Sequence, residues 1–218
     1  VPEPTYVPPS DYDAIVFDLG GVILDLDFSR TVDSFTQLFG RDASVLYTQM
    51  SQVPLFDRYE RGETNSSEFR AQLGEFFELG RTIADAELDA AWNALLGGIP
   101  QAKLRCLTRL AQGTRLFLLS NTNEIHIERF LLDYGARHES TFGPWSGLFE
   151  QDYYSHRMGL RKPEPAIFAR VLEEHGLNAG RTLFIDDNPF NVEAARALGM
   201  QARLHPSNAP IDAYFDPP

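Results

Sequence analysis

The chain has 218 residues, 43% hydrophobic and 12% aromatic, with 19 Lys and Arg against 31 Asp and Glu for a net charge of −12. That apolar content supports a packed domain and excludes a disordered chain. The acidic balance excludes non-specific binding to nucleic acid or anionic membrane, whose phosphates it repels, but leaves room for a small anion in a local pocket.

The first residues, VPEPTYVPPS, are proline-rich and lack the basic and apolar regions of a secretory signal. No stretch approaches the roughly 18 apolar residues of a membrane span, so a cytoplasmic protein is expected. Cys106 is the single cysteine and falls on a helical stripe with Leu104, Leu107 and Leu110, where a small core residue is expected.

Ala14–Phe17 is a short apolar run that ends in Asp18. It reads as a buried strand, and two more follow at Leu116–Leu119 and Thr182–Ile185. Each of the three runs into polar residues: Asp18, then Ser120-Asn121-Thr122, then Asp186-Asp187-Asn188. Helical stripes at 101–112, 164–176 and 189–199 alternate with them. This is the pattern of a doubly wound α/β fold, Rossmann-like, with a parallel sheet. In such sheets ligands bind beyond the carboxyl ends of the strands, so the three polar clusters converge on one edge.

Between the first two strands the alternation stops. Val32, Phe35, Leu38 and Phe39, then Phe69, Leu73, Phe76 and Phe77, then Leu88, Trp92, Leu95 and Leu96 are helical stripes with no strand between them. Asn65-Ser66-Ser67-Glu68 suits a helix N-cap with an acid at N3. The chain thus divides into an α/β core, 12–28 and 99–210, a small all-helical cap, 29–98, and tails at 1–11 and 211–218.

At the shared edge, Asp18 suits a nucleophile or a metal ligand. Ser120 suits a phosphate oxygen near a helix N-terminus, and Lys162, in GLRKPEP, suits charge neutralisation. The pair Asp186-Asp187 repels itself unless a cation lies between, and Mg²⁺ prefers such oxygens. The histidines show no metal-ligand spacing, and His175 continues an apolar helical face as a packed helix-end residue. In FDRYERGE, surface charge is the simpler reading of Arg58, Tyr59 and Arg61, each of which could otherwise face the cleft.

FDLGGV, LLSNT, RKPEP and FIDDN, in that order, resemble the four motifs of the haloacid dehalogenase superfamily over roughly residues 12–205. Their wording is most similar to a bacterial sugar phosphatase branch that includes α-glucose-1-phosphate phosphatase. The resemblance implies a Mg²⁺-dependent phosphatase acting on a small phosphorylated metabolite, with the helical block as its cap. Asp18 is implied as the nucleophile, Ser120 and Asn121 as phosphoryl ligands, and Lys162 as the group that stabilises transferring charge. Asp187 is implied as the main motif-four metal ligand, with Asp186 supporting it and Gly20 lending a backbone carbonyl. Asn191 either orients the metal shell or is a plain helix N-terminal residue, the second being the simpler reading.

Gly20 departs from the pattern, because phosphatases of this superfamily usually carry an acid–base Asp there. Its loss typically costs about 10²- to 10⁴-fold in rate. Three accounts fit: a good leaving group such as an anomeric sugar phosphate, a substitute acid from the cap or from Asp25 or Asp27, or a relic site that binds without turnover. A 2-haloacid dehalogenase is the competing enzyme class, and the paired acids argue against it by repelling a carboxylate substrate. Substrate selection is expected from the cap and from the loop around Trp145.

Overall fold

The computed structural model describes residues 6–40, 42–44, 54–76 and 83–216. Phe77 of the predicted cap stripe, and residues 1–5 and 217–218 of the two predicted tails, lie outside them.

Five parallel strands form one sheet in the order β3-β2-β1-β4-β5: β1 Ala14–Phe17, β2 Arg115–Ser120, β3 Gln151–Tyr154, β4 Thr182–Asp186 and β5 Gln201–Leu204. The registers Phe17↔Leu118 and Phe17↔Ile185 bring the carboxyl ends of β1, β2 and β4 level. The chain winds outward from β1 through β2 to β3, then crosses to β4 and β5 on the other side. This puts the switch point between β1 and β4, directly beyond Asp18 and Asp186.

The three expected strands are present, and β1 has the expected limits. The two edge strands, QDYY and QARL, were not expected, because neither carries a continuous apolar run. Alternate residues of the central strands feed two cores. Ile15, Phe17, Leu116 and Leu118 pack with Leu104 and Leu107 of the helix Gln101–Leu110 and Phe130 of the helix Glu124–Arg137. Val16, Phe117 and Phe184 pack with Phe168 and Val171 of the helix Pro165–Glu174 and Ala195 of Pro189–Ala197. Cys106 lies in the first core, and burial pushes its thiol up to about 12.

Helices Phe28–Phe39, Pro54–Glu60, Ser66–Phe76 and Asp85–Trp92 build a third cluster around Phe35, Phe56, Tyr59, Phe69 and Trp92. Asn65 caps its helix as expected: its side chain accepts from Glu68 N at 2.9 Å, and Glu68 returns to Asn65 N at 3.2 Å. Two linkers join this cluster to the sheet, and they pair with each other. Asp27 N donates to Leu95 O at 2.9 Å and Gly97 N to Asp25 O at 2.8 Å.

Several expectations fail on packing. The segments set apart as tails are packed where they are described: Val7 N donates to Tyr214 O at 2.7 Å, and Ile211, Tyr214 and Phe215 belong to the core. Trp145 is also core, 4% exposed, against Phe130 and Tyr134. Its loop leads into the amino end of β3, so it stands at the opposite end of the sheet from the polar clusters. Tyr59 is not surface but stacks on Phe69 with ring centroids 4.1 Å apart. Arg61 is not merely solvated either, since it pairs with Asp57 and with Glu164, two residues beyond Lys162. Arg58 is half exposed beside Glu63, as a surface charge should be.

His126 lies where the helical cluster meets the core. Its ring stacks on Trp92 at 4.7 Å, and Nδ1 lies 2.9 Å from Asn93 Oδ1. Burial pulls its pKa down to about 3. An unfolded chain takes that proton near pH 6.5, so the contribution of His126 is complete above about 6.5 and is lost as the pH falls. At pH 5 the loss is about 2 kcal/mol. Urea unfolding of His126→Gln should therefore show less destabilisation than the wild type between pH 7 and pH 5. An equal loss in the two proteins removes His126 as the cause.

Candidate active site

Asp18 follows directly from β1. Its N–H donates to Ile185 O at 2.9 Å, which holds it in line with β4. Its carboxylate accepts from Leu19 N at 2.8 Å through Oδ1, and Lys162 Nζ lies 2.8 Å from the same oxygen. Asp18 is 9% exposed, and burial pushes its carboxyl up to about 7; Lys162 opposes that rise, while Asp186 and Asp187 reinforce it.

Lys162, 1% exposed, ties three strand ends together. Its Nζ donates to Leu119 O at 2.7 Å and to Asp186 Oδ2 at 2.7 Å, besides its contact with Asp18. Burial acts to pull the ammonium down, but Asp18 and Asp186 outweigh it and the net shift is upward. This lysine is charged because two acids flank it.

Asn121 is used differently from the expectation. Its Nδ2 donates to Lys162 O at 2.9 Å and its Oδ1 accepts from Lys162 N at 2.9 Å. The amide thus mimics a strand partner for the lysine backbone, so any phosphoryl contact at this position falls to the backbone N–H. Ser120, 3% exposed, ends β2 beside it. Asn123 caps the following helix by accepting from His126 N at 3.1 Å.

The acidic pair divides its duties. Asp186 is fully buried and surrounded by donors: Lys162, Asn188 N at 2.8 Å to Oδ1, and Asn191 Nδ2 at 3.0 Å to each oxygen. Asn191 is therefore more than a helix N-terminal residue, since it is 5% exposed and anchors Asp186. Its Oδ1 is buried without a partner among the described residues. Asp187 is half-buried. Burial raises its carboxyl, a Ser207 hydrogen bond lowers it, and Asp186 raises it again.

One oxygen each from Asp18, Asp186 and Asp187 lie within 4.8 Å of one another. Three carboxylates so close, with one lysine among them, repel unless a cation is shared, and hard oxygen donors suit Mg²⁺. Asp18 and Asp187 are the better placed to give oxygens, because Asp186 is already saturated by hydrogen bonds. Gly21 allows this closeness. It has φ +75°, and a Cβ there would fall 2.1 Å from Asp187 Oδ2.

Both named candidates for a substitute acid are already engaged. Asp25 Oδ1 accepts from the buried Lys103 Nζ at 2.8 Å, and Asp27 caps the helix Phe28–Phe39 by accepting from Ser29 N at 3.1 Å. Lys103, Ser207 and Asn208 went unmarked in the sequence. The last two follow β5, itself unexpected, and carry no motif that could have marked them.

The chain matches the haloacid dehalogenase-like hydrolases over residues 12–199. It is 31% identical over 196 residues to a D-ribitol-5-phosphate phosphatase of Bacteroides thetaiotaomicron, covering 89% of this chain and 91% of that one. A phosphatase of Mycobacterium tuberculosis is 26% identical over 195 residues, covering 88% of this chain and 86% of its own. Among solved structures, a HAD family enzyme of Bacteroides thetaiotaomicron, in complex with magnesium and inorganic phosphate, gives a TM-score of 0.85 at 30% identity, covering 94% of this chain and 100% of that one. An L-2-haloacid dehalogenase of Xanthobacter autotrophicus, at 21% identity and a TM-score of 0.60 over 88% of this chain and 76% of that one, shares the fold.

Proposed function

The chain belongs to the haloacid dehalogenase-like hydrolases, and from that premise we propose that it is a phosphoric monoester hydrolase that uses Mg²⁺ on a small phosphorylated sugar or polyol. The observation that carries this reading is the contact of Lys162 with Asp18 and Asp186, set beside Asp187 at the sheet's switch point. The relatives named as phosphatases, one of them as a D-ribitol-5-phosphate phosphatase, support the substrate class.

In this reading Asp18 attacks phosphorus, the bond from phosphorus to the substrate oxygen breaks, and an aspartyl phosphate forms. Ser120 and the Asn121 N–H receive phosphoryl oxygens, and Lys162 neutralises the charge shared by Asp18 and the transferred group. Asp18, Asp187 and the Gly20 carbonyl would hold Mg²⁺, which when bound screens the carboxylates from the incoming phosphate. Water then attacks phosphorus, the bond to Asp18 breaks, and inorganic phosphate leaves. Residues 29–98 act as the cap, docked through Arg61–Glu164 and Arg161–Glu60 on either side of Lys162.

Gly20 offers no proton to the departing oxygen. A leaving group that needs little protonation, such as an anomeric sugar phosphate, is therefore turned over faster than a terminal polyol phosphate. A panel of both kinds, assayed for phosphate release with Mg²⁺ and with EDTA, tests the function. Release that requires Mg²⁺ supports it, and its absence on every substrate leaves a phosphate-binding relic, the reading that Gly20 itself favours. Gly20→Asp is the companion test. A Cβ there would meet Leu26 Cδ1 at 2.7 Å, the end of a flexible side chain that can turn away. We expect terminal phosphates to gain up to roughly a hundredfold in kcat, and anomeric phosphates much less. Equal change on both classes refutes the leaving-group account.

A further inference from the structure

The turn His205–Ala209 touches the site from a direction that no motif marks. His205 N donates to Asp186 O at 2.9 Å and extends the β4–β5 pairing by one step. The His205 ring then locks the turn, with Nδ1 3.0 Å from the Tyr214 hydroxyl and Nε2 3.1 Å from Ala209 O. On that base Ser207 and Asn208 reach opposite parts of the site. The Ser207 hydroxyl lies against the Asp187 carboxylate at Gly21, where a Cβ would lie 2.8 Å from Ser207 Oγ and 2.1 Å from Asp187 Oδ2.

Asn208 holds the loop after Asp18 from its other side. Its N–H donates to Gly21 O at 2.6 Å, its Oδ1 accepts from Leu26 N at 2.9 Å, and its Nδ2 donates to Leu26 O at 2.9 Å. Its φ is +62°, a left-handed conformation that Asn tolerates better than most side chains. Leu26 lies in the linker to the helical cluster, bridged to Leu96 of the returning linker. One two-residue segment therefore joins the Asp187 carboxylate, the Gly20-Gly21 backbone and the hinge.

We propose that Ser207 and Asn208 are positioning residues for the divalent cation: Ser207 aims the Asp187 carboxylate, and Asn208 sets the height of the Gly20-Gly21 backbone against it. The proposal rests on the Mg²⁺ reading above. The effect of both residues is on how well two ligands from distant parts of the chain arrive at one ion, and outer partners of this kind typically change metal affinity by about 10- to 100-fold.

The test is calorimetric titration of Mg²⁺ alone into the metal-free full chain, alongside its melting temperature. Ser207→Ala should weaken binding about tenfold with an unchanged metal-free melting temperature, and Ser207→Thr, which keeps the hydroxyl, should restore it. Asn208→Gly keeps the left-handed backbone and removes only the clamp on Leu26; it should weaken binding several-fold. Asp187→Asn is the control for the site itself. If Asp187→Asn loses Mg²⁺ while Ser207→Ala and Asn208→Gly bind as the wild type does, the positioning role is refuted and the metal site stands. If Ser207→Thr binds as weakly as Ser207→Ala and both melt earlier, the residue is merely structural and the proposal fails. If the wild type binds no Mg²⁺, the metal reading fails first and the positioning role falls with it.

Discussion

Asp18→Asn is expected to abolish phosphate release and yet leave the metal-free protein more stable at pH 8. The loss of activity follows from the reading of Asp18 as the attacking group, since an amide neither attacks phosphorus well nor carries the intermediate; a fall of roughly 10⁴-fold or more is expected. The gain in stability follows from the pKa of Asp18. Burial raises it to about 7 from an ordinary 3.8, so the fold holds that proton more tightly than the unfolded chain does. The favourable effect of holding the proton is complete below about pH 4 and is lost as the pH rises through 7. Ionising the buried acid costs on the order of a few kcal/mol at pH 8, with the opposing Lys162 contact already part of that shift, so the neutral amide should gain stability of that order. Denaturant unfolding at pH 8 and pH 4.5 checks the sign. A gain that persists unchanged at pH 4.5 has another cause.

Lys162→Met should abolish activity as well but move stability the other way. Asp18 and Asp186 both contact this one ammonium, which is 1% exposed. Removing one partner from a buried charge cluster leaves the others uncompensated, and a loss of about 3–5 kcal/mol is expected. The loss should be smaller at pH 5, where Asp18 can take a proton, than at pH 8. Adding Asp18→Asn to Lys162→Met should recover part of it, because one unpaired charge is then gone. If the two changes simply add, the residues are not coupled through charge, and the central argument about the site is wrong. Opposite stability changes from two inactivating substitutions would identify a cluster kept for chemistry at the expense of the fold.

The sequence marked Asp18, Lys162, Asp186 and Asp187 from their positions after apolar runs and before helix starts, and the structure brings all four together. What it could not divide was labour among neighbours. Asp186 and Asp187 look alike as text, but one points into donors from Lys162, Asn188 and Asn191 and the other toward Gly21 and Ser207. Asn121 likewise does not show in the text that its side chain holds both backbone groups of Lys162, which leaves only its backbone N–H for a phosphoryl oxygen. Adjacent residues at a strand end face opposite sides, and which side holds the partner is set by chain segments far away in sequence.

The sequence by itself determined the central sheet, the helical insertion and the edge on which chemistry gathers. Strands β1, β2 and β4 are buried on both faces, and such strands declare themselves as unbroken apolar runs. Tertiary structure alone decided the rest: the edge strands QDYY and QARL, the core placement of Trp145, Ile211, Tyr214 and Phe215, and the reach of Ser207 and Asn208 back to Asp187 and Leu26. An edge strand has one partner and one open side, so its residues need no apolar pattern; its pairing comes from backbone groups that every residue carries. Contacts such as Asn208 to Leu26 span 182 residues and leave no local trace, because their geometry exists only once the sheet has brought the two loops together.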